Sequence, residues 1–272
     1  MKLEWEQLRS LLPKRPRESS KGDYGHVLVI GGDYGMSGAV RMAAEAAMRV
    51  GAGLVSVATH AQHLAVVSGG RPEIMCHAAE APADLEHLIA RATVLVIGPG
   101  LGKSEWSKNL FTHLVRLQLP KIIDGDGLNL LAESPSHDDQ WVLTPHPGEA
   151  SRLLKSTVAE VQQDRVKSIK QLQSKFRGII VLKGAGTLVL GNETHPLICP
   201  AGNPGMASGG MGDVLSGVIG GLIAQKLPLL AAAQLGVLIH SMAADRAAAN
   251  DGERGLLASD LFPYLRKLVN LG

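Results

Sequence analysis

Cysteine is scarce in this sequence. Cys76 and Cys199 are the two among 272 residues; they lie far apart and match no metal-ligand spacing. That argues against a disulfide framework or a cysteine zinc site and leaves reduced thiols as the expected state. Charge of one sign is missing too. The formal net charge is +2 and no long run of like charge occurs, so neither a nucleic-acid stripe nor a membrane-binding face is expected. Long apolar runs are also absent: the most apolar stretch, 227–239, is shorter than a membrane span and contains Gln234. No apolar signal core follows the polar, basic start with Lys14, Arg15 and Arg17. There is no internal repeat, linker or low-complexity segment. A soluble, cytoplasmic protein is expected. At 45% hydrophobic residues, the chain has the means to bury one core as a single domain over 1–272.

Glycine, by contrast, is abundant at 32 residues, and it clusters at the ends of predicted strands. The densest stretch is 202–221. Its first half, with Pro204 among five glycines, cannot form a regular helix or a central strand. From about Asp213 onward Val214, Leu215, Val218, Ile219, Leu222 and Ile223 recur at helical spacing, so a buried helix is expected to begin there. A glycine loop running into a helix gathers free N–H groups at the positive end of a dipole, which is an anion site. Gly209, Gly210, Met211 and Gly212 form the loop, and Asp213 follows it. Asp213 has two readings: a cap of the helix, or a base beside a bound phosphate.

The rest of the chain alternates strand and helix. Strands are expected at 26–31, 54–58, 94–98, 121–124, 141–144 and 178–183, and a hairpin pairs 187–190 with 195–199 across Gly191-Asn192. Helices are expected at 39–50, 83–91, 106–117, 229–250 and 259–269. One long amphipathic helix is marked by Val158, Val161, Val166, Ile169, Leu172 and Phe176. The alanines of 39–50 should let that helix sit close to the sheet. This order implies a three-layer α/β/α sandwich with a mostly parallel sheet. Gly31-Gly32-Asp33-Tyr34-Gly35 lacks the G-x-G-x-x-G spacing, and no acidic residue closes the next strand, so a nicotinamide oxidoreductase is excluded. Asp124 and Asp126 fall at a strand's C-terminal end, where parallel sheets bind ligands. They either hold Mg²⁺ through water or form an Asx-rich turn. His146, between Pro145 and Pro147, is held rigidly at another strand end and points to a ligand contact.

Read together, these stretches resemble a family. Lys21-Gly22-Asp23-Tyr24-Gly25-His26, Gly98-Pro99-Gly100-Leu101-Gly102, Asp124-Gly125-Asp126-Gly127-Leu128-Asn129, Thr144-Pro145-His146-Pro147-Gly148-Glu149, Lys183-Gly184-Ala185-Gly186-Thr187 and the segment 202–217 stand in the order of the ADP- or ATP-dependent NAD(P)H-hydrate dehydratases, of the ribokinase-like superfamily. The resemblance implies a ribokinase-like fold. It also implies contacts to the hydrated dinucleotide from Ala39, Gly100 or Gly102, His146 and Asp213, and to the nucleotide from Lys183, Gly184, Ala185, Gly186, Thr187 and Gly212. The implied reaction converts hydrated NADH or NADPH (the S epimer of NADHX or NADPHX) to the reduced coenzyme. ADP or ATP, with Mg²⁺, phosphorylates the ring hydroxyl and phosphate is then eliminated, with Asp213 as the base. Gly125 and Gly127 replace the family's alanines, and Met211 stands where the family often has Thr. The N-terminal epimerase domain often fused in the family has no counterpart here, so a separate epimerase is the expected functional partner, along with homo-oligomerisation. Two other readings share these features: a vitamin-precursor kinase of the same superfamily, and a non-catalytic nucleotide-binding protein in which Asp213 is only a cap.

Overall fold

The computed structural model describes residues 1–12 and 14–270. Its strands are β1 (His26–Ile30), β2 (Leu54–Thr59), β3 (Met75–Ala78), β4 (Val94–Ile97), β5 (Lys121–Ile123), β6 (Trp141–Leu143), β7 (Ile179–Leu182), β8 (Leu188–Leu190) and β9 (Leu197–Ile198). They form one nine-stranded sheet in the order β3-β2-β1-β4-β5-β6-β7-β8-β9. Every pairing from β3 across to β7 is parallel, and β8 and β9 add on antiparallel. The strand order reverses between β1 and β4. In such a sheet that reversal opens a crevice at the strands' C-terminal ends.

The helices are α1 (Trp5–Arg9), α2 (Ser37–Arg49), α3 (Leu64–Gly69), α4 (Glu86–Ile89), α5 (Glu105–Leu114), α6 (Asp126–Glu133), α7 (Pro147–Leu154), α8 (Val158–Gln163), α9 (Arg165–Phe176), α10 (Met211–Ala224), α11 (Leu229–Asp251) and α12 (Phe262–Leu268). Alternation along the strands sorts them into two layers. Val27 and Val29 of β1 pack with Val40, Val214, Leu235 and Leu265 of α2, α10, α11 and α12. Leu28 and Ile30 face the other way, with Leu110, Leu128, Leu153 and Leu172 of α5, α6, α7 and α9. Two covered faces explain why the strands read as unbroken apolar runs. Among the described residues no helix is long and apolar enough to cross a membrane.

Two sequence expectations are corrected. The long helix over 158–176 is two helices, because Asp164 leaves helical geometry (φ −142°, ψ 83°) and its carboxylate accepts the Lys167 N–H at 2.9 Å. Capping by a short acidic side chain wins there over continued helix. The stretch 124–129 is no open turn: α6 starts at Asp126. The edge strand β3 was not expected at all: it carries no apolar alternation, its residues being exposed or half-buried. As expected, α2 packs on the sheet, at β1 and β2, and its alanines also serve a contact with α10 in the same layer. Gly217 of α10 sits against the Ala43 backbone, and a Cβ at Gly221 would lie 2.6 Å from the Ala47 carbonyl oxygen. Only glycine permits that approach.

Candidate active site

Asp124 is the centre of the site. It follows β5 and is buried. Its Oδ1 accepts from Thr144 Oγ at 2.7 Å and from Lys183 Nζ at 2.7 Å, and its Oδ2 lies 2.8 Å from Ser216 Oγ. These three partners come from the end of β6, the end of β7 and α10. Burial opposes ionisation of Asp124, but Lys183 and the two hydroxyls outweigh it and hold the carboxyl below its usual range. Lys183 is likewise opposed by burial and raised by Asp124 and by Glu149, whose Oε2 lies 3.7 Å away. The partner that a lysine at this strand end requires is therefore a carboxylate 59 residues away in sequence.

One lysine faces several carboxylates, and two of these are left poorly compensated. Asp213 is pushed up to about 7, first by burial and then by Asp124, with Asp126 and Glu149 adding to it and Lys183 opposing. Glu149, the third residue of α7, is raised to about 7, mainly by burial. A carboxyl titrating near 7 is suited to accept a proton at neutral pH. The helix start also separates the two readings of Asp213. Helix α10 begins at Met211, its cap is Gly210 in the left-handed region (φ 88°), and no side chain caps it. Asp213 is thus the third helical residue and not the cap.

Around this centre the structure gathers the other expected residues. A Cβ on Gly212 would lie 3.1 Å from Lys183 Nζ, so the phosphate loop and the lysine are adjacent. Gly209 is exposed with open space around it, Gly210 packs against Met42, and the Met211 side chain is buried in the core. A Cβ on Gly100 would touch Ala39 Cβ at 3.0 Å. The Gly102 N–H donates to Asp126 Oδ2 at 2.9 Å. Gly184, Ala185 and Gly186 are exposed beyond β7, and Thr187 Oγ donates to the Gly184 carbonyl at 3.0 Å. His146 is half-exposed and caps α7: its Nδ1 accepts the Gly148 and Glu149 N–H groups at 3.0 and 3.4 Å. Burial and the nearby Lys183 lower its pKa. With Nδ1 accepting, the proton of the neutral ring is on Nε2, which faces Glu149 Oε1 at 3.4 Å.

Asp124 and Asp126 do not fit a direct Mg²⁺ site. The first is already neutralised by Lys183, and the second accepts from Gly102 and, at 3.2 Å, from Asn129 Nδ2. Among the described residues no cluster of three or more His, Cys, Asp or Glu could hold a metal.

Sequence reasoning missed the residues that hold the site in shape. Arg165 donates to the carbonyls of Ala185, Leu182 and Lys183 at 2.6, 3.0 and 3.2 Å, pinning the 183–187 loop. The helix break at Asp164 puts Arg165 there. Asp245 of α11 accepts from the Gly202 N–H and from Asn203 Nδ2, both at 2.9 Å, and so anchors the phosphate loop. Thr144 and Ser216 were legible only as a strand end and a helix interior. A second concavity of about 800 Å³ lies along α9, lined by Lys167, Lys170 and Lys175 among others. None of the residues gathered around Asp124 lines it.

A family model described as NAD(P)H-hydrate dehydratase matches residues 27–267. The chain belongs to the NAD(P)H-hydrate dehydratase family. Other members bear this out. The chain is 65% identical over 268 residues to a bifunctional NAD(P)H-hydrate repair enzyme of Coxiella burnetii, covering 98% of this chain and 55% of that protein. It is 38% identical to the ADP-dependent (S)-NAD(P)H-hydrate dehydratase of Neisseria meningitidis, over 94% of this chain and 88% of that one. It superposes with a TM-score of 0.88 on the ADP/ATP-dependent NAD(P)H-hydrate dehydratase of Bacillus subtilis co-crystallised with ATP and Mg²⁺, at 29% identity and over 98% of this chain and 96% of that chain. A ribokinase-like superfamily protein of Enterococcus faecalis gives 0.90 at 30% identity, over 98% and 94% of the two chains. The ribokinase-like three-layer architecture is thereby established. The chain spans about half the length of the bifunctional relatives.

The cap that His146 forms can be separated experimentally from a contact to the dinucleotide. His146→Ala removes the cap and should cost about 1 kcal/mol. It should also raise KM for the dinucleotide while leaving nucleotide affinity nearly intact. His146→Asn keeps a capping side chain, so its melting temperature should return toward wild type while KM stays high. Recovery of both together would make His146 a cap alone.

Proposed function

We propose that this chain restores NADH and NADPH from their hydrates at the expense of ADP or ATP. The observation that carries the reading is Asp213: a carboxyl raised to about 7, in the first turn of α10, beside Lys183 and directly after the glycine loop. Asp213 takes the proton of the ring hydroxyl. The freed oxygen attacks the terminal phosphoryl group, and its bond to the nucleotide's bridging oxygen breaks. The N–H groups at the start of α10 hold the transferring group. The ring nitrogen's electron pair then expels phosphate to leave an iminium, and loss of a proton from the adjacent ring carbon restores the dihydropyridine. Nucleotide enters with Mg²⁺ on its phosphates, as substrate.

Gly184, Ala185, Gly186 and Thr187 are assigned to the nucleotide, supported by their exposed backbone beyond β7. Ala39, Gly100, Gly102 and His146 are assigned to the hydrate, supported by their grouping beyond β4, β6 and the start of α2. Incubating hydrated NADH with the protein and Mg²⁺ should regenerate dihydronicotinamide absorbance only when ADP or ATP is added. Turnover without nucleotide, or accumulation of a stable phosphorylated hydroxyl compound, would overturn the proposal.

A further inference from the structure

Tyr34 is the one exposed Phe, Trp or Tyr side chain among the described residues, at 64%. It is also firmly held. Its ring stacks on His60 with centroids 4.3 Å apart and planes 12° off parallel, and His60 stacks in turn on Trp106 at 4.0 Å. His63 meets the Tyr34 ring edge-on at 6.0 Å. His60 is buried and fixed at both nitrogens, with Nδ1 2.8 Å from Glu80 Oε2 and Nε2 3.2 Å from Asp33 Oδ1. Trp106 Nε1–H donates to the Ala79 carbonyl at 2.7 Å. Tyr34 therefore tops a rigid column of three rings: one face is covered by His60, and the remaining surface is offered to solvent. A large exposed ring held this way gains nothing from the fold but is ready to stack on another ring.

Its position says which ring. Tyr34 follows β1, beside the strand-order reversal. The neighbouring Asp33 N–H donates to the Gly100 carbonyl at 2.6 Å, and Asp33 Oδ2 accepts from Ser104 at 2.9 Å. From Gly102 the path continues through Asp126 towards Asp213. β1 is two strands from β5 and four from β7, about 10 Å and about 19 Å at ~4.8 Å per strand. The column thus flanks the hydrate side and lies far from the loop assigned to the nucleotide. A dinucleotide with its nicotinamide ring at Asp213 has a second base to place.

We propose that the exposed face of Tyr34 is the stacking platform for the distal purine base of the hydrated dinucleotide. This rests on the dehydratase reading above. The test is steady-state kinetics, with ADP or ATP in excess, on hydrated NADH and on the hydrate of reduced nicotinamide mononucleotide, which lacks the adenylate half. Base stacking of this kind predicts that Tyr34→Ala raises KM for hydrated NADH by on the order of 10-fold. Its kcat should hold, as should its KM for the mononucleotide hydrate. Tyr34→Phe keeps the ring and should resemble wild type. Equal effects on both hydrates, or none, would overturn the proposal. So would equal KM values for the two hydrates in the wild-type protein, a comparison that does not depend on any variant folding. If wild type turns over neither hydrate, the dehydratase reading itself fails and takes this one with it; failure of the platform alone leaves turnover intact.

Discussion

Asp213→Asn is expected to give a folded protein that binds ADP or ATP normally and turns over at least ~10²-fold more slowly. Asn cannot accept the hydroxyl proton. Because Gly210 and not Asp213 occupies the cap, the substitution removes no cap either. Its effect on stability has a definite sign. A carboxyl raised from 3.8 to about 7 holds its proton more tightly in the folded state than in the unfolded one. The stability this contributes is fully present below 3.8 and is lost as pH rises through about 7. Asn carries no such dependence, so at pH 8 the variant should be at least as stable as wild type. Activity should run the opposite way in wild type, kcat/KM rising through an apparent pKa near 7 as the base ionises. Since Glu149 titrates in the same range, that limb belongs to the coupled pair. Glu149→Gln removes one charge that raises Asp213 and should move the limb to lower pH. Near-normal kcat in the Asn variant would mean that the proton leaves by another route.

Lys183→Ala is expected to be the most destabilising single change at the site, by about 3–5 kcal/mol, because it leaves Asp124 buried and unpaired. The double variant Asp124→Asn/Lys183→Ala should lose less than the two single losses added together. Urea denaturation of the four proteins closes the cycle; simple additivity would show that the pair is not the source. The pH signs follow from each partner. Asp124, lowered in the fold, contributes stability above its unfolded value of 3.8 that is lost as pH falls through its folded pKa. Lys183, raised, contributes below 10.5 and loses it as pH climbs through its folded pKa. Under conditions where the variant remains folded, nucleotide affinity should fall more than hydrate affinity; a loss confined to the hydrate would refute the assignment of this loop.

The parallel architecture was legible because its strands are short apolar runs ending in glycine or acidic residues, as at Gly31 and Asp124. The site residues were legible as strand-end positions, which convergence at one sheet edge then brings together. What local pattern cannot carry is pairing across the chain. Nothing near Lys183 names Asp124, and nothing near Gly202 names Asp245. Boundaries were misread where one residue has two uses. Met211 was counted with the loop because glycines flank it, yet its buried side chain opens the helix, and that shift of two residues decides whether Asp213 is a cap. Asp164 was counted inside a helix because apolar spacing continues past it on both sides.

The contact between α2 and α10 keeps the two halves of the reaction in step. Gly217 meets Ala43, and Gly221 meets Ala47. The two helices therefore run side by side with matching turns. One turn earlier on each, about 5.4 Å along the axis, the same register brings Ala39 level with Asp213. In the proposed reaction Ala39 is assigned to the hydrate, and Asp213 to proton transfer beside the phosphate. Their separation is thus gauged by main chain against main chain, with no long side chain in between whose rotamer could blur it. The nearby side chains can change without altering the reach of the base, while an added methyl group at Gly217 would prise the cleft open with every reactive group still present.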